Sequence, residues 1–119
     1  MKYEILDYEG MERVLKDLSD YLTKLNICDE IVFDSRLVTS ELISNILQHS
    51  AGKAYFTGLV RNGFVELEIG SDEKFTPPAV SRCSTVYAES GRGLFLVDSF
   101  CERRVTTDDG VKVYIRIKE

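Results

Sequence analysis

The sequence lacks the residue patterns that disulfide frameworks and structural zinc sites require. Its three cysteines are Cys28, Cys83 and Cys101, which lie far apart and form no Cys-x-x-Cys pair. His49 is the one histidine of the chain. A structural zinc site takes four Cys or His ligands in closely spaced pairs, so the spacing argues against zinc. We expect the cysteines to be reduced thiols, as in a cytoplasmic protein.

Long apolar segments are also missing. No stretch approaches the roughly 20 apolar residues that a membrane-spanning helix needs, and residues 1–12 contain no apolar core of signal-peptide length. The net charge of −5 argues against a general nucleic-acid binder, which is normally basic. We therefore expect a cytoplasmic protein with no direct contact to membrane or nucleic acid. The length of 119 residues predicts a single domain, 1–119.

What the sequence does contain is one strongly apolar stretch, residues 37–49, which reads LVTSELISNILQH. Because it has no Pro or Gly, it predicts a helix, and its apolar side chains surround the axis, which predicts a largely buried one. Glu41, Asn45 and His49 recur every four residues and therefore form one line along that helix. Buried polar groups need partners. The line is either a structural network, with Glu41 paired to a Lys or Arg, or a ligand site.

Two further helices are predicted around this stretch. Apolar residues at helical spacing predict an amphipathic helix over residues 11–25, which we expect to begin after a break at Gly10. Asp29 is expected to cap the following helix, which runs through the apolar stretch and ends near residues 50–52. Residues 94–100, LFLVDSF, predict a third, short helix.

The remaining segments predict strands. Asn62-Gly63 is a strong tight-turn signal between two of them, and residues 108–110 carry a second such signal. In the run after Asn62-Gly63, Glu66 and Glu68 alternate with apolar residues, so we expect both carboxylates on a solvated face. Residues 70–90 predict a long loop. The predicted strands cover residues 2–7 (an edge strand), 54–60, 64–69, 103–107 and 111–118.

Together these elements predict an α+β fold. We expect a two-layer α/β sandwich, in which a mostly antiparallel sheet carries the helices on one face.

A second polar feature, Gly91-Arg92-Gly93, stands directly before the helix predicted over residues 94–100. Free backbone N–H groups and the helix dipole make a helix start attractive to phosphate. The alternative is an ordinary helix-start turn in which glycine only relieves backbone strain.

The two features, in this order and with a long loop before the second, resemble a known family. ELISNILQH at residues 41–49 resembles the N box of the GHKL (Bergerat-fold) ATPases, and GRGLFLV at residues 91–97 resembles their second glycine box. The subgroup that the chain resembles most is that of the small anti-sigma-factor serine kinases. The resemblance covers the chain from about residue 10 to its end, and it implies a Bergerat ATP-binding fold with ATP and Mg²⁺ as cofactors.

The resemblance also implies roles for single residues. Asn45 would coordinate the Mg²⁺ that accompanies the ATP phosphates, as an amide oxygen suits this hard cation. Glu41 would be the catalytic residue that positions or activates the attacking hydroxyl, a serine of a partner protein.

Four further residues would contact the nucleotide. Gly91, Arg92 and Gly93 would line the phosphates at the end of a lid formed by residues 71–90. His49 would lie near the phosphates or the ribose.

One segment departs from the family pattern. The family has an Asp-x-Gly-x-Gly segment after the second hairpin strand, and its Asp recognises the adenine amino group. Here the segment reads Gly70-Ser71-Asp72, so strict register puts Ser71 at that position, and Asp72 follows one residue late as the available carboxylate. Both glycines of the box are absent.

Three functional interpretations follow. The first is an ATP- and Mg²⁺-dependent protein serine kinase of the anti-sigma-factor type, which phosphorylates a serine of an antagonist protein, sequesters a sigma factor, or does both; the subgroup also suggests a homodimer. The second is a non-catalytic partner-switching module on the same fold, with weak or lost nucleotide binding. The third is an unrelated small α/β domain in which the polar line is only structural.

Overall fold

The computed structural model describes residues 1–49, 53–71, 101–106 and 110–117. The helix predicted over residues 94–100, and residues 72–90 of the predicted loop, lie outside this part of the chain. The elements are, in chain order, β1 (Lys2–Ile5), α1 (Tyr8–Lys24), α2 (Asp29–His49), β2 (Ala54–Arg61), β3 (Phe64–Ser71), β4 (Arg103–Thr106) and β5 (Gly110–Arg116).

The described strands form one antiparallel sheet in the order β1-β2-β3-β5-β4. β1 lies at one edge, so the edge strand predicted near the N-terminus is confirmed, and β4 pairs with β5 as the second predicted hairpin. The loop predicted from Gly70 begins too early. Gly70 pairs with Gly110, and Ser71 pairs with Ala54, so β3 continues two residues beyond its predicted end.

Both helices pack on one face of this sheet. α1 lies against β1 and α2, and α2 lies against β2 and β3. The layer between helices and sheet is apolar and includes Phe56 and Leu67, both fully buried. The predicted two-layer α+β arrangement is therefore confirmed for the described residues.

α1 begins three residues earlier than predicted. The Asp7 side chain accepts a hydrogen bond from the Gly10 backbone N–H at 2.8 Å, which satisfies one of the unpaired N–H groups of the first turn. Gly10 therefore lies within the first turn of α1, and the predicted break there is wrong. The buried face of α1 consists of Met11, Val14, Leu15, Leu18 and Leu22, as the spacing predicts. Leu25, the last residue of the predicted apolar face, is 47% exposed because it caps the helix end.

The start of α2 also differs from the prediction. The Cys28 carbonyl accepts hydrogen bonds from the N–H groups of Ile31 and Val32, both at 3.1 Å. Cys28 thus occupies the cap position, and Asp29 is the first helical residue rather than the cap. A carboxylate there is still favourable, because the positive end of the helix dipole lies in this turn.

The β2–β3 hairpin follows the sequence signal closely. Asn62 and Gly63 have φ values of 55° and 80°, the left-handed pair that a two-residue type I′ turn needs. A Cβ added at Gly63 would meet no heavy atom within 4 Å, so the backbone conformation rather than space selects glycine here.

The sheet face away from the helices holds one exception to the expected alternation. Glu68 is exposed as predicted, but Glu66 is only 5% exposed. Two N–H groups of Arg61 donate to the Glu66 carboxylate at 2.9 and 3.0 Å, and the Lys112 ammonium lies 3.2 Å away. Hydrogen bonds from Arg61 first, and then from Lys112, hold the pKa of Glu66 below its ordinary value of 4.5. The prediction of a solvated Glu66 is therefore wrong, because neighbouring cations cover it.

We expect Glu66→Gln to lower the free energy of unfolding by about 1 kcal/mol near neutral pH, a modest loss because both cations are partly exposed. Since the native pKa is lowered, the carboxylate contributes fully above the unfolded pKa and loses this contribution as pH falls through the native pKa. Urea denaturation should therefore show the two proteins converging in acid. Glu68→Gln is the matched control, and a difference that persists undiminished at about pH 2 would contradict this explanation.

Candidate functional site

α1 packs against α2 and against the β1 side of the sheet. The Ser44 hydroxyl of α2 donates to the Met11 sulfur of α1 at 3.5 Å, and the Tyr21 hydroxyl of α1 accepts from the Val60 N–H of β2 at 3.3 Å. Val60 points this N–H towards the β1 side, as does Gly58, which bonds to Met1. α1 therefore covers the β1 half of the helix-bearing face.

Glu41 and Asn45 lie on one flank of α2. At roughly 100° per residue, the two residues project on the same side, about 6 Å apart along the axis. Val32 and Ile43, which are buried, project from the opposite side of the helix axis.

The side chains of Glu41 and Asn45 are both half-buried. No described side chain from residue 37 to residue 47 is exposed, which confirms the prediction of a largely buried helix. Among residues 1–49, 53–71, 101–106 and 110–117, no hydrogen bond or ion pair engages the Glu41 carboxylate or the Asn45 amide. The structural network that the sequence left open is thus not found in the described part of the chain.

The C-terminal end of α2 and the end of β3 lie at the same end of the fold. β2 begins at Ala54, five residues after α2 ends at His49, and Ala54 pairs with Ser71 at the end of β3. Ser71 is 2% exposed. The last residue of β3 and the C-terminal end of α2 are therefore near the same end of the sheet.

The structure brings together two of the predicted site residues, Glu41 and Asn45. His49 ends α2, and its side chain lies outside the described residues, as do Asp72 and the three residues of the glycine turn, 91–93. Their predicted roles stay predictions.

Sequence reasoning missed one polar residue on this flank. Asp34 precedes Glu41 by two helical turns, is only 9% exposed, and is held by a contact of its own. The sequence contains a signal for Asp34, because residues seven positions apart, such as Asp34 and Glu41, lie on the same side of a helix. The spacing of Glu41, Asn45 and His49 does not include Asp34, because Asp34 precedes the apolar stretch that contains them.

The oxygens of Glu41 and Asn45 are of the kind that bind Mg²⁺ together with phosphate groups. No group of three or more His, Cys, Asp or Glu that could hold an ion occurs among the described residues. Mg²⁺ does not need such a cage, since it commonly keeps several waters and binds through one or two protein oxygens plus phosphates. The Asn45 amide oxygen, with Glu41 one turn away, fits that mode.

No protein-family model matches the chain, and no curated protein sequence matches it. Across the described residues, no helix is long and apolar enough to cross a membrane.

Proposed function

We propose that this chain has a Bergerat fold and acts as a regulatory protein serine kinase of the anti-sigma-factor type, with ATP and Mg²⁺ as cofactors. The observation that carries the proposal is the pair Glu41 and Asn45. Both are half-buried on one flank of α2 and have no hydrogen-bond or ion-pair partner among the described residues. Burying a carboxylate and an amide in part costs stability unless a partner satisfies them, and in this proposal the Mg·ATP complex is that partner.

The proposed phosphoryl transfer requires no covalent intermediate with the protein. Phosphoryl transfer depends mainly on positioning and on neutralising charge at the phosphates. Asn45 would hold Mg²⁺, which supplies that neutralisation when bound. Glu41 would accept a hydrogen bond, and then the proton, from the attacking serine hydroxyl of the partner. In the same proposal Gly91 and Gly93 contribute backbone N–H groups to the phosphates.

The partners proposed are proteins: an antagonist that carries the serine, a sigma factor, or both in turn. A homodimer is proposed with them.

One observation favours the second candidate, a partner-switching module with weak or lost nucleotide binding. Ser71, the residue in register with the adenine-recognising Asp, is the last residue of β3 and is buried. A serine hydroxyl at this position is neutral and shorter than a carboxylate, and no following glycine lets the backbone approach a base closely. The two candidates differ in nucleotide affinity and in transfer to a partner, and not in fold.

We expect Glu41→Ala to retain Mg·ATP binding within about threefold and to reduce phosphoryl transfer at least about 100-fold, because loss of a positioned general base typically costs 10²–10⁴ in rate. The measurement is transfer from radiolabelled ATP into protein of the extract from the source cells. Glu12→Ala, which removes an exposed carboxylate of α1, is the matched control.

Unchanged transfer in Glu41→Ala would remove Glu41 from the mechanism. Tight capture of a sigma factor or antagonist by a wild-type chain that binds no nucleotide would instead select the partner-switching module.

A further inference from the structure

The sheet face away from α1 and α2 carries an organised set of cations and aromatic rings. Its strand residues alternate along β2, β3, β4 and β5 with those that face the helices, and Glu102, directly before β4, joins them through its ion pair with Arg116. We call this set the basic-aromatic surface, and it consists of Arg61, Phe64, Glu66, Glu102, Arg103, Lys112, Tyr114 and Arg116.

Two aromatic rings form its centre. The rings of Phe64 and Tyr114 meet edge to face, with centroids 6.2 Å apart and an angle of 88° between their planes. The Arg103 guanidinium lies over Tyr114 at 4.9 Å, and the Lys112 ammonium lies 5.3 Å from the same ring. The Arg116 guanidinium lies over Phe64 at 5.3 Å. These cation–π contacts restrict the long cationic side chains.

The surface is more positive than the protein that carries it. Four cations stand against the carboxylates of Glu66 and Glu102, a net charge of +2 (4 − 2), whereas the whole chain carries −5. If Glu68, the next acidic residue of β3 on this face, is included, the charge is still +1 (4 − 3).

The donors of this surface are only partly used. Glu66 engages Arg61 and Lys112, and Glu102 accepts from Arg116 at 3.1 Å in an exposed pair. Arg103 is exposed, and within the described ranges no carboxylate lies at ion-pair distance from it. The edge of its guanidinium is therefore available for two parallel hydrogen bonds to a carboxylate.

We propose that the basic-aromatic surface binds an acidic segment of a partner protein, with Arg103 and Arg116 as the two carboxylate receptors. Their guanidinium planes are held over rings before binding, so little side-chain entropy is lost when a carboxylate docks. Single-stranded nucleic acid is disfavoured, because cations already lie over the rings on which bases would stack and the net charge of the chain repels a polyanion. The surface lies on the opposite side of the sheet from Glu41 and Asn45, so this proposal does not depend on the proposed kinase.

The test is an NMR titration of the ¹⁵N-labelled protein with a short peptide of alternating Glu and Ala. A Lys–Ala peptide of the same length and an oligo-uridine RNA are the controls. We expect saturable shifts confined to β4, β5 and the adjoining residues of β3, including the side-chain Nε–H signals of Arg103 and Arg116, with an affinity that falls as salt rises. No saturable shift, shifts centred on the helices, or equal binding of the RNA would overturn the proposal.

Variants test the two receptors separately from the net charge. The double variant Arg103→Ala/Arg116→Ala should weaken peptide binding about 100-fold, about tenfold for each charge-assisted pair. Arg13→Ala/Arg36→Ala removes the same charge from exposed positions of the helices and should change binding less than about twofold. Glu102→Gln should strengthen binding about threefold, since Glu102 competes for Arg116. Equal weakening in the two double variants would contradict the assignment of Arg103 and Arg116.

Discussion

Asn45→Ala should weaken Mg·ATP binding at least about 100-fold, which corresponds to about 2.7 kcal/mol. In the proposed site the Asn45 amide oxygen would hold the Mg²⁺ that accompanies ATP, and an alanine would offer no oxygen to the metal. The side chain is half-buried and engages no partner among the described residues, so its removal breaks no described hydrogen bond of the fold. Equilibrium dialysis with labelled ATP, with and without Mg²⁺, measures the change.

Two controls separate metal ligation from general damage to α2. Arg36→Ala removes an exposed side chain from the opposite side of the same helix and should leave the affinity unchanged. Asn45→Asp keeps an oxygen at the same place and should retain Mg²⁺-dependent binding, because carboxylates are ordinary Mg²⁺ ligands. Equal affinity of wild type and Asn45→Ala would remove Asn45 from the site.

Gly110→Ala should lower the free energy of unfolding by about 3 kcal/mol. The added methyl group would lie on the carbonyl oxygen of Ile69, 2.5 Å from the Gly70 Cα and 2.8 Å from the Ile69 carbonyl carbon. All three atoms belong to the backbone of β3, so no side-chain rotation relieves the collision, and the β3–β5 pairing at Gly70 has to open. A loss of this size is a large part of the roughly 5–15 kcal/mol that stabilises an ordinary domain.

Urea denaturation monitored by circular dichroism gives this value, and Gly63→Ala is the matched control. Gly63 has φ +80° and no heavy atom within 4 Å of an added Cβ, so the substitution carries only the backbone cost, about 1 kcal/mol. Equal losses in the two variants would show that space at Gly110 is not what selects glycine. Because Gly110 pairs with Gly70 beside Ser71, Gly110→Ala should also disturb the end of the sheet nearest the candidate site.

Local signals in the sequence predict the local structure well. Asn62-Gly63 specifies a type I′ turn because only small or Asn-like residues tolerate two positive φ values, and the hairpin forms there. The apolar spacing of α1 identifies its buried face because the helical period is fixed by backbone geometry. The spacing of Glu41 and Asn45 places them together for the same reason.

Contacts between distant residues could not be predicted in this way. The alternation of polar and apolar residues along β3 predicts Glu66 on the face away from the helices and therefore in solvent. It does not predict which side chains of other strands cover Glu66 on that face. Lys112, which covers it together with Arg61, comes from a strand 46 residues later in the chain (112 − 66). Gly110 reads as a turn residue in the sequence. The structure requires glycine at position 110 because the β3 backbone approaches it closely. That approach depends on the order of the strands in the sheet, which no local sequence pattern specifies.

Binding of a magnesium nucleotide at the Glu41 and Asn45 flank of α2 is the step on which the proposed kinase depends. Calorimetric titration of the wild-type protein with ATP and Mg²⁺, repeated with a chelator in place of the metal, tests this binding most directly. We predict one saturable binding event with a dissociation constant on the order of micromolar, about −8 kcal/mol, that is weakened when Mg²⁺ is removed. Absence of binding heat for both ATP and ADP at several temperatures, with and without Mg²⁺, would contradict the proposed site.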